Sequence, residues 1–328
     1  MQLLRKIALA SLCVCAMAAA QAQTAAERYP ARPVKLLLPL PAGSGIDVLA
    51  RALAKEFADK TGQPLLVQNK PGANSVISTD LCAKSPPDGY TLCVITSSIS
   101  LIPYLYKQLP FDAERDLKPV TQLIFAPEVV LMNPKLPVNN YRELVAYSKA
   151  HPGTLNYASF GVGGTPHLAF EWLKHEGGLD ITHVPYAGSP PALLALQSGQ
   201  IDLVYVSVGN PGILNMIESG KVKALLVPGD KRNPVLPGVP SFEEVGLPKF
   251  AVRTWHGVAA PAGTPDHIVT ALADVFRGIM NSREFQDKVL KPMAVELVAS
   301  RPDEFSRYLV QDRKNGAALV KLSGAKLE

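Results

Sequence analysis

Short apolar runs alternate with stretches of helical periodicity along most of this 328-residue chain. Val34–Leu38 is apolar apart from Lys35 and reads as a buried strand. Beyond a turn, Val48, Leu49, Ala52, Leu53 and Phe57 recur at helical spacing, and Asp47 is placed to cap that helix. Thr61-Gly62-Gln63-Pro64 stops it, and residues 65–68 read as the next strand. A helix over Val76–Ala83 and a strand at 91–95 complete a β-α-β-α-β order, which implies a parallel sheet with right-handed crossovers. A second series follows on a similar scale. Its strands fall at 129–132, 155–158, 181–184, 201–206 and 223–227, and its helices at Tyr141–Ala150, 166–175 and 190–198. After Pro237 the pattern changes to a strand at 252–259, helices at 266–279 and 283–290, a strand at 295–298 and a last helix at 304–319. Closing this tail onto the first series gives an α/β chain of two lobes, each a mostly parallel sheet flanked by helices. Residues 23–127 plus 252–328 form one lobe and 128–251 the other, with a double crossing and a cleft that closes about a hinge.

Two glycine-rich turns each follow a strand and precede a helix. They are Pro39-Leu40-Pro41-Ala42-Gly43-Ser44-Gly45-Ile46-Asp47 and Ser159-Phe160-Gly161-Val162-Gly163-Gly164-Thr165-Pro166-His167. The first backbone N–H groups of a helix have no intrahelical acceptor, so each turn is a ready anion site. One turn per lobe suggests a single anionic ligand gripped between them. Ser97 and Ser98 follow the third strand, where ligand contacts fall in doubly wound sheets, and Tyr186 and Ser189 follow the strand at 181–184. Plainer readings stand beside these. The first turn is also a tight β-α connection, Asp47 a helix cap, His167 a structural histidine and Tyr186 a packing residue.

Composition narrows the choice. A hydrophobic content of 47% is enough for two cores. Arg5 and Lys6, an apolar stretch and Ala20-Gln21-Ala22 mark residues 1–22 as a cleaved signal peptide, and so a periplasmic location. Its removal lowers the net charge from +5 to +3. The basic residues are scattered, which gives nucleic-acid binding no support. Cys82 and Cys93 remain in the mature chain; in an exported protein they either form a disulfide or stay as buried thiols. There is no nucleophile-elbow motif, no P-loop and no metal-ligand spacing among His167, His175 and His183. Val48 stands where a dinucleotide fingerprint needs its third glycine, so no cofactor is expected. The enzymatic alternative is an exported hydrolase or lyase using Ser44 or Ser159.

The ordered motifs carry a resemblance. Tyr29-Pro30-x-Arg32-Pro33, the first glycine turn, Pro71-Gly72-Ala73, Pro87-Asp88-Gly89-Tyr90-Thr91-Leu92, Leu155-Asn156-Tyr157 and Pro166-His167-Leu168 appear in that order. His183-Val184-Pro185-Tyr186-x-Gly188, Gly199-Gln200-Ile201-Asp202-Leu203 and Ala260-Pro261-Ala262-Gly263-Thr264-Pro265 complete the series. Together they resemble the solute receptors of tripartite tricarboxylate transporters, the Bug or TctC-like proteins, over nearly the whole mature chain. The resemblance implies a two-domain periplasmic-binding-protein fold (type II-like) that closes on a small mono- or dicarboxylate, aromatic ones included. It also implies delivery to a membrane permease by what is expected to be a monomer, or signalling to a sensor kinase in its place. Carried over residue by residue, the ligand set is Ala42, Gly43, Ser44 and Asp47 with Ser159, Gly161, Val162, Gly163, Gly164, Thr165 and His167. Ala42 and Ile46 replace a glycine and a threonine common in relatives. Some relatives place an acidic residue after the strand ending near Tyr205 to meet a ligand ammonium group. Here Val206, Ser207 and Val208 stand there, which favours a ligand without an amine.

Overall fold

The computed structural model describes residues 29–323. The expected signal peptide, residues 1–22, lies outside the described residues. Among the described residues, eleven strands form two sheets. β1 (Val34–Leu38), β2 (Leu65–Asn69), β3 (Thr91–Thr96), β4 (Leu117–Phe125), β10 (Trp255–Pro261) and β11 (Glu296–Leu297) build the first, in the order β11-β4-β10-β3-β1-β2. β5 (Glu128–Met132), β6 (Asn156–Ser159), β7 (Thr182–Pro185), β8 (Leu203–Ser207) and β9 (Lys223–Leu226) build the second, in the order β7-β6-β8-β5-β9. The main helices are α1 (Gly45–Thr61), α2 (Val76–Ala83), α3 (Tyr141–Ala150), α4 (Thr165–Gly177), α5 (Ser189–Ser198), α6 (Asp266–Met280) and α7 (Pro302–Ser323).

The sheets are mixed rather than mostly parallel. β1 pairs in parallel with β2 and β3, and β6 with β7 and β8, where β-α units build the sheet. The pairings β3–β10, β10–β4, β4–β11, β5–β8 and β5–β9 are antiparallel. The reason is the double crossing. β4 leaves the first sheet toward β5, and β10 returns to lie beside it in the opposite direction. The two crossing segments touch where the Ala126 N–H donates to the Thr254 carbonyl at 2.9 Å.

β4 itself carries no clear strand signature, because Lys118, Pro119, Thr121 and Gln122 interrupt its apolar pattern. Thr121 and Gln122 are buried, and each donates one hydrogen bond to Ser300. Thr121 Oγ1 donates to the Ser300 carbonyl at 2.8 Å, and the Gln122 N–H donates to Ser300 Oγ at 2.9 Å. The helix expected at 283–290 begins as an α turn and continues from Gln286 as a wider π-helical turn.

Each sheet has its own core. Leu36, Leu38, Leu49, Leu53, Phe57 and Phe276 pack under the first, with the two phenyl rings 5.7 Å apart. Tyr157, Phe170, Trp172 and Phe242 anchor the second. Burying such side chains supplies about 1.5–3 kcal/mol each. α7 spans both: Phe305 and Leu309 pack on the first sheet, whereas Leu319 and Val320 sit in the second core. Its Asp312 accepts from Trp255 Nε1 at 2.8 Å and from the Tyr308 hydroxyl at 3.2 Å, which fastens the helix to the returning strand β10. Cys82, in α2, is bonded to Cys93, in β3, with their Cα atoms 5.9 Å apart.

Candidate functional site

Both glycine turns lie at the C-terminal ends of strands and open onto one cleft between the sheets, with a volume of about 420 Å³. That is the size range of small-molecule sites. In the first turn, Asp47 accepts from the Gly43 N–H at 3.0 Å, from Asn69 Nδ2 at 2.9 Å and from Arg51 Nε at 3.0 Å. Burial pushes its carboxyl up, but these donors outweigh that and hold it below the usual carboxylate range. The Ser44 N–H and hydroxyl both turn back to the Pro41 carbonyl. The Gly45 N–H reaches across the cleft to Asn210 Oδ1 at 3.0 Å. Among the described residues, the N–H groups of Ile46 and Asp47 at the start of α1 meet no acceptor.

The second turn is built the same way. The Gly161 N–H donates to Ser159 Oγ at 3.2 Å, the Gly164 N–H to the Gly161 carbonyl at 3.2 Å, and the Gly163 N–H to His167 Nδ1 at 3.1 Å. Burial pushes the His167 imidazole down to about 4, so it is neutral and able to accept that bond. The N–H groups of Thr165 and His167 at the start of α4 are left without acceptors among the described residues, and Pro166 between them has none to offer. The glycines therefore shape the two turns, and first-turn N–H groups of α1 and α4 are left unbonded among the described residues.

Of the residues expected to bind, Ser44, Ser97, Ser98, Gly161, Val162, Gly164, Thr165, Tyr186 and Ser207 line the cleft. Ala42, Gly43, Asp47, Ser159, Gly163 and His167 do not line it: Ala42 and Gly43 are exposed, and Asp47, Ser159, Gly163 and His167 are buried within the turns. Ser159 lies 2.6 Å from His183 Nε2, a serine–histidine pair, but its side chain is wholly buried and closed to a substrate. Ser44 spends its proton on a carbonyl. Neither serine is set up as a nucleophile.

The lobes are held together across the cleft. Besides the Gly45–Asn210 bond, Ser97 Oγ lies 2.9 Å from Thr165 Oγ1. Asn210 is fixed from its own side, accepting from Ser189 Oγ at 2.7 Å and donating to the Ser207 carbonyl at 3.0 Å. A Cβ on Gly188 would meet Pro41 of the other lobe at 2.6 Å, so the contact requires glycine there.

The structure adds wall residues that the sequence pattern did not single out. Ala73, Asn74 and Ser75 line the cleft with φ values of 45°, 53° and 78°, a run of left-handed conformations costly for non-glycine residues. Asn210 belongs to Gly209-Asn210-Pro211-Gly212, a third turn after a strand that was readable as such. Glu128, Thr254 and His256 come from the two crossings. Burial pushes the Glu128 carboxyl up to about 8, opposed by the Thr254 hydroxyl, and pushes the His256 imidazole down to about 4. Among the described residues, no lysine, arginine or aspartate lines the cleft.

Comparison with known proteins agrees with this architecture. The model of the tripartite tricarboxylate transporter family receptor, TctC, matches residues 49–324. Protein BugT of Bordetella pertussis is 35% identical over 320 residues, covering 95% of this chain and 96% of the relative. The solved structure of R. palustris Rpa4515 with adipate superposes with a TM-score of 0.86 at 30% identity, covering 91% of this chain and all of the other. MatC from Rhodopseudomonas palustris with bound malate gives 0.81 at 29% identity, covering 89% of this chain and all of the other. The chain belongs to the tripartite tricarboxylate transporter receptor family, whose Bug and TctC members are periplasmic solute-binding proteins and not enzymes.

Proposed function

We propose that this chain captures a small mono- or dicarboxylate in the periplasm, aromatic acids included, by closing its two lobes over it. The captured acid passes to a membrane permease of the tripartite tricarboxylate type, and the receptor acts as a monomer. One observation carries the reading: Ile46 and Thr165, at the starts of α1 and α4, keep unbonded N–H groups and line one cleft that has no lysine or arginine among the described residues. Backbone donors and two helix N-termini are then the means of holding an anion. Each such charge-assisted bond contributes roughly 1.5–3 kcal/mol when shielded from water. The relatives described with adipate and malate support a carboxylate as the ligand class.

Thermal unfolding of the mature protein tests this against adipate, malate, benzoate and pentanoate, with glucose and hexylamine as controls. An acid at a hundred times its dissociation constant stabilises the fold by about 2.7 kcal/mol. Shifts produced by the sugar or the amine but by none of the acids would refute the reading.

A further inference from the structure

The cleft has a second polar region, separate from the two helix ends. Glu128 follows the first crossing, and Thr254 and His256 lie at the second, so all three sit on the hinge side of the cleft. Their apolar neighbours on the wall are Ile124, Ala126, Met293 and Val295. Glu128 and His256 are each more than nine-tenths buried, and His256 Nδ1 has no hydrogen-bond partner among the described residues. A buried polar group without a partner is costly, and one in a ligand cleft is satisfied by the ligand.

The charges around Glu128 decide what it offers. Tyr205 and Ser207 flank it on β8, and burial holds the Tyr205 phenol protonated. Thr254 faces it from the returning crossing, and His256, a neutral imidazole, lines the same cleft. Arg253 is paired with Glu296 and lies over the Phe125 ring at 3.6 Å. Asp230, Lys231 and Lys249 line a second groove that Glu128 also borders, and none of them is paired with its carboxyl. No cation among the described residues neutralises this carboxyl, and a buried carboxyl without one keeps its proton.

We propose that Glu128, on a cleft wall shared with His256, sets ligand specificity by donating its carboxyl proton in a hydrogen bond to an oxygen at the end of the ligand remote from the anchored carboxylate. This rests on the carboxylate-receptor reading above and deepens it. The preferred ligand carries a hydroxyl, carbonyl or second carboxyl oxygen there and not an ammonium group. Sequence reasoning looked for an acid after β8, whereas the structure brings one from the neighbouring strand β5, opposite Ser207.

Four acids of one chain length test it: pentanoate, 5-hydroxypentanoate, adipate and 5-aminopentanoate, titrated calorimetrically from pH 6.5 to 9.5. The two oxygen-ended acids are expected to bind about tenfold more tightly than pentanoate at pH 7, and 5-aminopentanoate no more tightly. The preference falls from about tenfold toward none as pH rises from about 8 to 9.5, because only protonated Glu128 donates. Glu128→Ala reduces the preference to within about twofold, with retained pentanoate binding as the check on the cleft. Glu128→Gln, a weaker donor that cannot ionise, leaves a smaller preference that no longer changes with pH. Equal binding of all four acids, a preference untouched by pH or by Glu128→Ala, or a preference for 5-aminopentanoate that grows with pH would each overturn the proposal. Binding of none of the four removes the carboxylate reading itself and this inference with it.

Discussion

Replacing Asn210 with alanine separates closure from folding. Asn210 makes three side-chain hydrogen bonds, but only the one from the Gly45 N–H crosses the cleft. The bonds to Ser189 and Ser207 lie within one lobe and survive when the lobes part. The cross-cleft bond is 3.0 Å long and nearly buried, with Asn210 9% exposed. A bond of this kind contributes a net 0.5–1.5 kcal/mol or so, because the Gly45 N–H bonds water once the cleft opens. Apparent affinity scales with the population of the closed form, so Asn210→Ala should weaken binding by about two- to tenfold. Titration calorimetry with the acid giving the largest thermal shift measures this. Small-angle scattering of the ligand-free variant should show a larger radius of gyration than the parent. A folded variant with unchanged affinity and unchanged radius would show that the Gly45–Asn210 bond does not hold the lobes closed.

The remaining predictions concern the same features. Gly188→Ala places a methyl group against Pro41 and should cost at least about tenfold in affinity, read by the same titration. Asp47→Asn removes the charge that gathers Gly43, Asn69 and Arg51, and should lower stability by about 1–3 kcal/mol in urea unfolding. Reducing Cys82–Cys93, which closes a loop of 11 residues in sequence separation, should lower stability by on the order of 3 kcal/mol, seen as a lower melting temperature in reductant. Acid should weaken the fold. His167 and His256 remain neutral to about pH 4 when folded, whereas unfolded histidine protonates near about 6.5. Over that window the unfolded chain binds more protons, so stability falls as pH falls, and His256→Gln should flatten the slope of unfolding free energy against pH.

Much of the fold was legible because strands and helices built from local β-α units keep their periodicity. Val34–Leu38 with α1, and Asn156–Ser159 with α4, are of this kind, and the glycine turns between them were readable with them. What escaped depends on the crossings. β4 hides behind Lys118, Pro119, Thr121 and Gln122; the buried Thr121 hydroxyl and Gln122 N–H find their partner only in the distant Ser300. Antiparallel pairing follows from where the chain returns, which no local pattern records.

The site divides along the same line. The turns were visible, but which of their N–H groups were already taken was not. That depends on His167 folding back to Gly163, and on Asn210 reaching Gly45 from far along the chain. Glu128 and His256 sit in sequence contexts that read as ordinary strand ends. Only the double crossing brings them to one wall.

The central claim is that a carboxylate, held by the N–H groups of α1 and α4, is what closes the lobes. Calorimetric titration of the mature protein with adipate and with its uncharged analogue hexane-1,6-diol tests it most directly. One-to-one binding of the acid, with the diol weaker by at least about a hundredfold, is the expected result. Equal binding of the two, or binding of the diol alone, would contradict it.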